Sequence, residues 1–442
     1  MKNAIKLLSI IGLLAAATPG FSIKPFPHGI VDLPGSISDK KPIGEIADHP
    51  WLNATVAGVR IRTGWDNTEP VDGIYNWAQI DESLARATTS KKYIGLGVTA
   101  GITAPAWLMG GVTFLDGVSV LGSKTLTSAT AKFATTDVGR IILSDSYPAG
   151  TKISSRTSAT SVKLSEGAIK SSTLKKPLSF SILQRNSGGA AFRVLTAPDE
   201  GVMVVPWDPL AKTKWKEFVV ALGIKYDNKP QLGYVVMTGF QQIAECYLAV
   251  TQADINFFDA SAVAAGYKAT ATLPAGLVAW EATAKEMVAQ FMFSFPNTPL
   301  LITGARPYGG DSQTVGQIAM QDIFDWGAAT YPGRFGIMNS QLHASSTLGY
   351  FLNSAINDVR SNTPVGIQFL CAGTSDNPDN IKRLSNSTPF GDDPLLSIYD
   401  AVNVSASMGV SFGCNFIEVY EADINNPALK KLLSQQKRAL GF

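Results

Sequence analysis

Apolar positions recur with two periods along most of the chain. Short runs of alternating or wholly apolar residues, typical of strands, alternate with longer stretches in which apolar residues have helical spacing. Eight strand-like runs lie at Thr55–Arg62, Tyr93–Thr99, Gly201–Val205, Leu232–Thr238, Pro299–Gly304, Phe335–Ser340, Val365–Leu370 and Asn415–Tyr420. Stretches of helical spacing lie at Trp77–Ala87, Lys212–Tyr226, Ala279–Phe293, Val315–Ala328, Tyr350–Arg360, Pro394–Ser407 and Ala428–Leu440. Eight repeats with no Gly-rich phosphate loop predict an α/β fold of the (β/α)8, or TIM, barrel type.

The alternation is interrupted after the second predicted strand. Residues 110–183 are rich in Ser, Thr, Gly and Val and carry only short strand-like runs between turn residues. Their many β-branched residues need a core to pack in, which favours a folded unit over a long loop. We therefore expect a small all-β module inserted after strand 2. The barrel would then comprise residues 23–109 and 184–442, with 23–50 as an irregular lead-in.

The first 22 residues have the pattern of an export signal. Lys2 and Lys6 precede an apolar run, Leu7–Ala17, which Thr18–Gly20 ends. The run is too short to span a bilayer, so a cleaved signal peptide is favoured over a retained anchor. We expect a secreted or periplasmic protein with no membrane association after signal cleavage.

Charge and the rarer residue types narrow the possible partners. A net charge of +2, with no dense Lys/Arg run, argues against a nucleic-acid partner. The three histidines are scattered and the three cysteines match no metal-binding spacing, so we expect no metal site and no cofactor. Buried thiols are the default for the cysteines; Cys371 and Cys414 are the one pair that could form a disulfide, if their strands are neighbours.

Charged residues alternate with apolar ones in the first and last predicted strands. Arg60 and Arg62 in the first strand, and Glu418 and Tyr420 in the last, share the inward-facing phase. The first and last strands of a closed barrel are neighbours, so Glu418 is expected to meet Arg60 or Arg62. Such a pair either stabilises the barrel seam or maintains a catalytic carboxylate in its ionised form, and both interpretations stay open.

Glu245 is the second carboxylate of interest. It follows the fourth predicted strand, on a loop that also carries Gln241, whose amide suits sugar hydroxyls. Hydrolysis of a glycosidic bond needs two carboxyl groups across that bond. The alternative is an ordinary surface glutamate.

Other polar and aromatic residues near predicted strand ends complete the hypothetical site. Aromatic rings suit the apolar faces of sugars, and amides and guanidinium groups can orient hydroxyls. We expect substrate contacts from Arg60, Arg62, Trp65, Trp107, Gln241, Asn339, Gln341, Gln368 and Tyr420.

One part of the chain resembles a known family. The segments concerned are Arg62–Pro70, Gly73–Trp77, Ile80–Asp81, Pro105–Trp107 and Pro206–Asp208. Together they resemble the opening of β-galactosidase-like glycoside hydrolases of the retaining TIM-barrel clan, which carry a strand Arg, a Trp, a Glu-Pro pair and a Gly-x-Tyr-x-Trp turn.

The resemblance implies roles for particular residues. Glu245 matches the acid/base position after strand four, although Ala244 stands where the family has Asn. The family's nucleophile lies at the end of strand seven, where this chain has Gln368. Either Glu418 takes that role, with Glu421 as a poorer substitute, or the protein binds glycans without cleaving them.

Two functions therefore follow from the sequence, with carbohydrate as the partner in both. The leading hypothesis is a secreted glycoside hydrolase in which Glu245 is the general acid and Glu418 the nucleophile or stabiliser. The alternative is a catalytically inactive carbohydrate-binding barrel. A lyase or metal hydrolase is disfavoured, because no clustered His/Asp set is present.

Overall fold

The computed structural model describes residues 23–34, 49–198, 200–344, 346, 350–374, 379–385 and 398–441. Helices α1 to α12 are His49–Leu52, Trp65–Thr68, Ala78–Ser90, Pro209–Tyr226, Gln252–Ala264, Ala275–Ser294, Gln313–Thr330, Phe351–Val359, Asp379–Ser385, Ile398–Phe412, Glu421–Ile424 and Lys430–Ala439. Eight strands that pair with one another, labelled β1 to β8, are Gly29–Leu33, Val56–Gly64, Tyr93–Thr99, Leu232–Val236, Leu300–Gly304, Phe335–Leu342, Val365–Phe369 and Phe416–Tyr420.

These eight strands close into one barrel. Their hydrogen-bonded order is β1, β8, β7, β6, β5, β4, β3, β2, and β2 returns to β1. Every neighbouring pair is parallel. The chain folds as an α/β (β/α)8 barrel, as the sequence predicts, with additional antiparallel sheets.

The structure corrects two strand assignments. The first barrel strand is Gly29–Leu33, inside the predicted irregular lead-in, whereas Gly201–Val204 is outside the barrel and pairs antiparallel with Phe192–Leu195. Parallel neighbours need a crossover connection, usually a helix. Among the described residues between Tyr93–Thr99 and Gly201–Val204 there is no α-helix, and Gly201–Val204 forms an antiparallel hairpin instead of a parallel barrel strand. Tyr93–Thr99, the strand before the insert, is therefore third in the barrel.

The inserted module has its own core. It contains two three-stranded antiparallel sheets, formed by Val112–Gly117, Leu178–Ile182 and Ile142–Leu143, and by Thr125–Thr127, Ser161–Leu164 and Ile153–Ser158. Apolar residues such as Phe133, Val162 and Phe180 are buried between them. The module occupies the connection from β3 to α4, so it emerges at the carboxyl end of the barrel strands, where TIM barrels carry their active sites.

The hairpin of Phe192–Leu195 and Gly201–Val204 is tied to the helix layer by Asp254. Arg193 donates from Nε to Asp254 Oδ1 at 2.8 Å, and Thr196 donates from its backbone N–H and its hydroxyl to Oδ2 at 3.0 and 2.6 Å. These charge-assisted bonds fix the position where the chain returns from the module to the barrel.

Aromatic rings fill the amino end of the barrel interior. Phe416 on β8 stacks on Tyr234 of β4, with ring centroids 4.8 Å apart, and on Phe26 of the N-terminal segment. Lys24 ties that segment to the barrel, donating from Nζ to Thr298 Oγ1 at 2.9 Å. The remaining polar side chains of the interior therefore lie toward the carboxyl end.

All three cysteines are free and buried, so Cys371 and Cys414 do not form a disulfide. Among the described residues, no helix combines the length and apolar character needed to cross a bilayer. The predicted signal peptide, residues 1–22, lies outside the described residues.

Asp32 is an unusual carboxylate on the outer face of β1. It pairs in register with Val419 and Val59, so it points toward the helix layer, and it is fully buried. Neither carboxyl oxygen has a hydrogen-bond partner among the described residues. Burial, with a smaller contribution from Glu421, raises the pKa of Asp32 to about 8, against 3.8 ordinarily.

We expect Asp32→Asn to flatten the pH dependence of stability. Because the folded state binds the Asp32 proton more tightly than the unfolded state, wild-type stability falls as pH rises from about 4 to about 8, by about 1.4 kcal/mol per unit of pKa shift. The Asn variant is neutral throughout, so its free energy of unfolding in urea should exceed that of wild type at pH 8 but not at pH 5. Asp311→Asn, at an exposed position, is the control; an equal pH slope for wild type and Asp32→Asn would contradict the expectation.

Candidate active site at the carboxyl end of the barrel

Arg60, Glu418 and Tyr234 form a hydrogen-bonded cluster inside the barrel. Arg60 on β2 donates from Nη1 to Glu418 Oε1 on β8 at 3.4 Å, and the two side chains are 2% and 0% exposed. The Tyr234 hydroxyl on β4 donates to the same oxygen. The predicted pairing of Glu418 with an inward arginine is confirmed, but β1 lies between the two strands, so Arg60 reaches across it.

Glycines on β3 make room for this cluster. A Cβ at Gly97 would lie 2.6 Å from Arg60 Nη2, and a Cβ at Gly95 would lie 2.1 Å from Tyr234 Cζ. Both distances are far inside van der Waals contact. The pattern Gly95-Leu-Gly97 is therefore what allows two large polar side chains to fit in the barrel.

Arg62 lies nearer the mouth of the barrel, two residues beyond Arg60 on β2. It donates from Nη2 to the carbonyl oxygen of Pro34 at 2.6 Å, and its side chain is partly exposed. Burial lowers the pKa of its guanidinium group, and the charges of Tyr420, Arg60, Glu418 and Glu245 all act on it. The structure thus brings both arginines, Glu418 and Glu245 into one electrostatic cluster.

Glu245 is placed by a tightly bonded loop after β4. The backbone at Glu245 bridges Thr303 of β5, and Cys246 N donates to the Thr303 carbonyl oxygen at 2.9 Å. Gln241 donates from Nε2 to the carbonyl oxygens of Met237 and Ala244 at 3.1 and 3.2 Å. Gln241, predicted to contact substrate, instead holds the loop that carries Glu245.

The carboxyl group of Glu245 is buried and only partly satisfied. Its Oε2 has no hydrogen-bond partner among the described residues. Burial raises its pKa, while its own backbone N–H and the nearby Arg62 and Arg60 oppose that rise, and Glu418 adds to it. A glutamate in this environment retains its proton to higher pH than an exposed one, which suits a general acid.

Gln368 and Tyr420 also face the mouth. Gln368 at the end of β7 is the register partner of Glu418, and no hydrogen bond joins its amide to a described residue. Tyr420, two residues beyond Glu418, is partly exposed, and burial raises the pKa of its hydroxyl. The strand that would carry a nucleophile by resemblance thus places a neutral amide beside Glu418.

Trp65 and Trp107 belong to an aromatic core beside the site. Trp65 is 1% exposed, packs edge-on against Trp107 and Trp215, and donates from Nε1 to Glu69 Oε2 at 2.7 Å. Trp107 is half-buried and donates from Nε1 to the Glu69 carbonyl oxygen at 3.0 Å. Trp65 therefore has no face open to a sugar, whereas Trp107 keeps a partly open one.

Asn339 and Gln341 on β6 are engaged with α8 and its flank. Asn339 is fully buried and donates from Nδ2 to Asn353 Oδ1 at 2.8 Å, while its Oδ1 accepts from Gln341 N at 2.8 Å. Gln341 Oε1 accepts from the Tyr350 hydroxyl. Asn339 thus connects the end of β6 to α8. Gln341 is partly exposed, so it is the residue of these two that a ligand could reach.

Two residues of the site were not anticipated from the sequence. Tyr234 and Thr303 lie in runs that the sequence analysis interpreted as strands, without assigning either residue to the site. The Thr303 hydroxyl is buried without a partner among the described residues, and the Thr303 backbone bridges that of Glu245. The alternation of inward- and outward-facing positions along each strand could have identified them, because both residues, like Arg60, occupy inward-facing positions.

The arrangement offers acid and electrostatic chemistry. It combines a buried carboxyl group that tends to hold its proton with a deeper carboxylate that accepts bonds from a guanidinium and a phenol. Among the described residues there is no cluster of three or more His, Cys, Asp and Glu side chains that could bind a metal ion.

Comparisons by sequence identify no relative: no family model matches this chain. No curated protein matches it either.

Several solved structures align with this chain over most of its length. The catalytic domain of β-amylase from Paenibacillus polymyxa aligns with a TM-score of 0.47 and 9% identity, over 92% of this chain and 98% of that one. A β-galactosidase from the psychrophilic Marinomonas ef1 aligns with a TM-score of 0.44 and 10% identity, over 93% of this chain and 59% of that one. A psychrophilic glycoside hydrolase family 10 endo-β-1,4-xylanase aligns with a TM-score of 0.38 and 9% identity, over 93% of this chain and 84% of that one. All three scores are below 0.5, so the fold is assigned from the strand pairing, and function has to be inferred from the site.

Proposed function

We propose that the protein is a glycoside hydrolase whose active site is the carboxyl end of the barrel. The observation that carries this proposal is Glu245: a buried carboxyl group with a raised pKa and one oxygen that bonds to no described residue, held by a bonded loop near two arginines and Glu418. A carboxyl group that retains its proton, beside a second carboxyl group that accepts hydrogen bonds from Arg60 and Tyr234, is the equipment of acid-assisted glycoside cleavage.

In this mechanism Glu245 donates its proton to the glycosidic oxygen as the bond to the anomeric carbon breaks. The positive charge that develops on the sugar ring is stabilised by the Glu418 carboxylate, either through space or by covalent attack. Arg60 and Tyr234 both donate to Oε1 of Glu418, and Oε2 is buried without a partner among the described residues. In this position the carboxylate acts on the sugar through space, and covalent attack would require Glu418 to become exposed. Water then completes hydrolysis.

A second function is favoured by Gln368. Its neutral amide stands beside Glu418 at the end of β7, and Glu418 is itself fully enclosed. If Glu418 cannot reach the sugar, the same mouth would bind a glycan without cleaving it. The two functions share a site and differ only in turnover.

A glycan panel separates the two functions. The purified protein is incubated with plant, algal and microbial polysaccharides, and both binding and newly formed reducing ends are measured. The proposed hydrolase releases reducing ends from at least one glycan that it binds. Binding with no release on any member of the panel would support the carbohydrate-binding barrel instead.

We also propose that the protein is exported to the periplasm or the medium. The support is the pattern of residues 1–22, a positive start followed by a short apolar run. Fractionation of producing cells tests this, together with N-terminal sequencing of the mature chain. Full-length protein that keeps Met1 and stays in the cytoplasm would overturn it.

A further inference from the structure

Among the described residues, the two arginines at the mouth of the barrel have one bonded carboxylate between them. Arg60 has a counter-ion in Glu418, at 3.4 Å. Arg62 forms no salt bridge with a described residue, and its hydrogen bond to the Pro34 carbonyl oxygen uses one of its five N–H donors. Within the part of the chain that the structure describes, one guanidinium group of the pair therefore has no bound carboxylate.

The nearby carboxyl groups do not neutralise Arg62. Glu418 and Glu245 are the two whose charge acts on it, and Glu418 is already bonded to Arg60 and Tyr234. Burial raises the pKa of Glu245, and a general acid must be protonated to act. In the form that starts the reaction, the two arginines thus face a single carboxylate among the side chains that the structure describes.

Further polar groups of the barrel strands have no partner among the described residues. Arg60 Nε and the Thr303 hydroxyl are buried with no hydrogen-bond partner among the described residues. The Gln368 amide, the register partner of Glu418, likewise bonds to none of them. A neutral sugar that covered this mouth would bury the charge of Arg62 without compensation, which costs free energy.

We propose that the sugar bound at this mouth carries an anionic group, a carboxylate or a sulfate, that lies against Arg62. A guanidinium group binds either anion through two parallel hydrogen bonds, which a lysine ammonium cannot reproduce. The inference rests on the proposed function for the presence of a sugar, and it specifies the substrate class as uronic-acid-containing or sulfated glycans.

The test compares charged and neutral ligands in wild type, Arg62→Gln, Arg62→Lys and Arg438→Gln, the last an exposed arginine on α12 as control. Polygalacturonate, a sulfated galactan and a neutral galactan are assayed for binding and for release of reducing ends. In parallel, the melting temperature is followed in sodium galacturonate and sodium sulfate, against sodium chloride at equal ionic strength. The salt arm needs no knowledge of the linkage that the protein cleaves.

We expect the wild type to prefer either the uronate ligands or the sulfated ones over the neutral galactan. The preferred ligand identifies the anionic group as a carboxylate or a sulfate. Arg62→Gln should weaken binding of that anion by about tenfold or more, Arg62→Lys should restore only part of it, and Arg438→Gln should not change it. If Arg62→Gln fails to fold, the anion affinity of Arg62→Lys alone tests the inference. This variant keeps the positive charge but cannot form the two parallel hydrogen bonds of a guanidinium group. Equal affinity for charged and neutral ligands, or anion binding that is insensitive to both Arg62 variants, would overturn the inference. Anion binding that depends on Arg62, without cleavage of any glycan, would instead refute the hydrolase proposal and leave the anion site standing.

Discussion

Replacing Glu245 by Gln is expected to reduce glycan cleavage by about 10²- to 10⁴-fold, the range that a general acid contributes. The amide has the shape of the carboxyl group but cannot deliver a proton to the leaving oxygen. The loop that carries Glu245 is fixed by Gln241 and by a backbone bond to Thr303, so binding and melting temperature should be retained. The assay is release of reducing ends from a glycan that the wild type cleaves.

Glu166→Gln is the matched control, because Glu166 is an exposed glutamate of the inserted module. It should cleave at the wild-type rate. The pH profile adds a second readout: the rate should fall on the alkaline side as Glu245 loses its proton, and this limb should lie above the range of an ordinary glutamate, since burial raises the pKa of this group. Wild-type turnover in Glu245→Gln would remove Glu245 from the mechanism.

Glu418→Leu is expected to destabilise the protein by about 3–5 kcal/mol, the cost of breaking a buried ion pair by removing one partner. The change leaves the Arg60 guanidinium, 2% exposed, inside the barrel with no anion, and the Tyr234 hydroxyl without its acceptor. Chemical denaturation of wild type and variant at neutral pH measures the difference in the free energy of unfolding.

The double variant Arg60→Met/Glu418→Leu separates the contribution of the ion pair to stability from the contribution of side-chain packing. Removing both charges leaves apolar side chains of similar length, so most of the lost stability should return. If Glu418→Leu alone were as stable as wild type, Glu418 would not be the counter-ion that keeps Arg60 in the barrel. The pair would then lose its structural role.

The alternation of charged and apolar residues was sufficient to predict the inner pair. Arg60 and Glu418 share an inward phase on strands that run in the same barrel, and a buried charge needs a partner, so their contact follows from sequence and physics together. The same rule missed Tyr234, because its run Leu232–Val236 is otherwise apolar and a tyrosine there is compatible with simple core packing.

Pairing between distant segments could not be predicted in the same way. A strand-like pattern shows that a segment is extended but not which strand lies beside it, so Gly201–Val204 was placed in the barrel and Gly29–Leu33 was overlooked. Side-chain direction at the ends of strands has the same limit. Trp65 and Asn339 turned out to face other core residues rather than the mouth, because packing partners from α4 and α8 determine their direction.

A crystal structure of Glu245→Gln with a bound glycan that the wild type cleaves would test the proposed active site most directly. We expect the glycosidic oxygen about 3 Å from the side-chain amide at position 245. The same sugar should lie over Glu418 and against Arg62. Density for the sugar on the inserted module alone, with the mouth of the barrel empty, would contradict it.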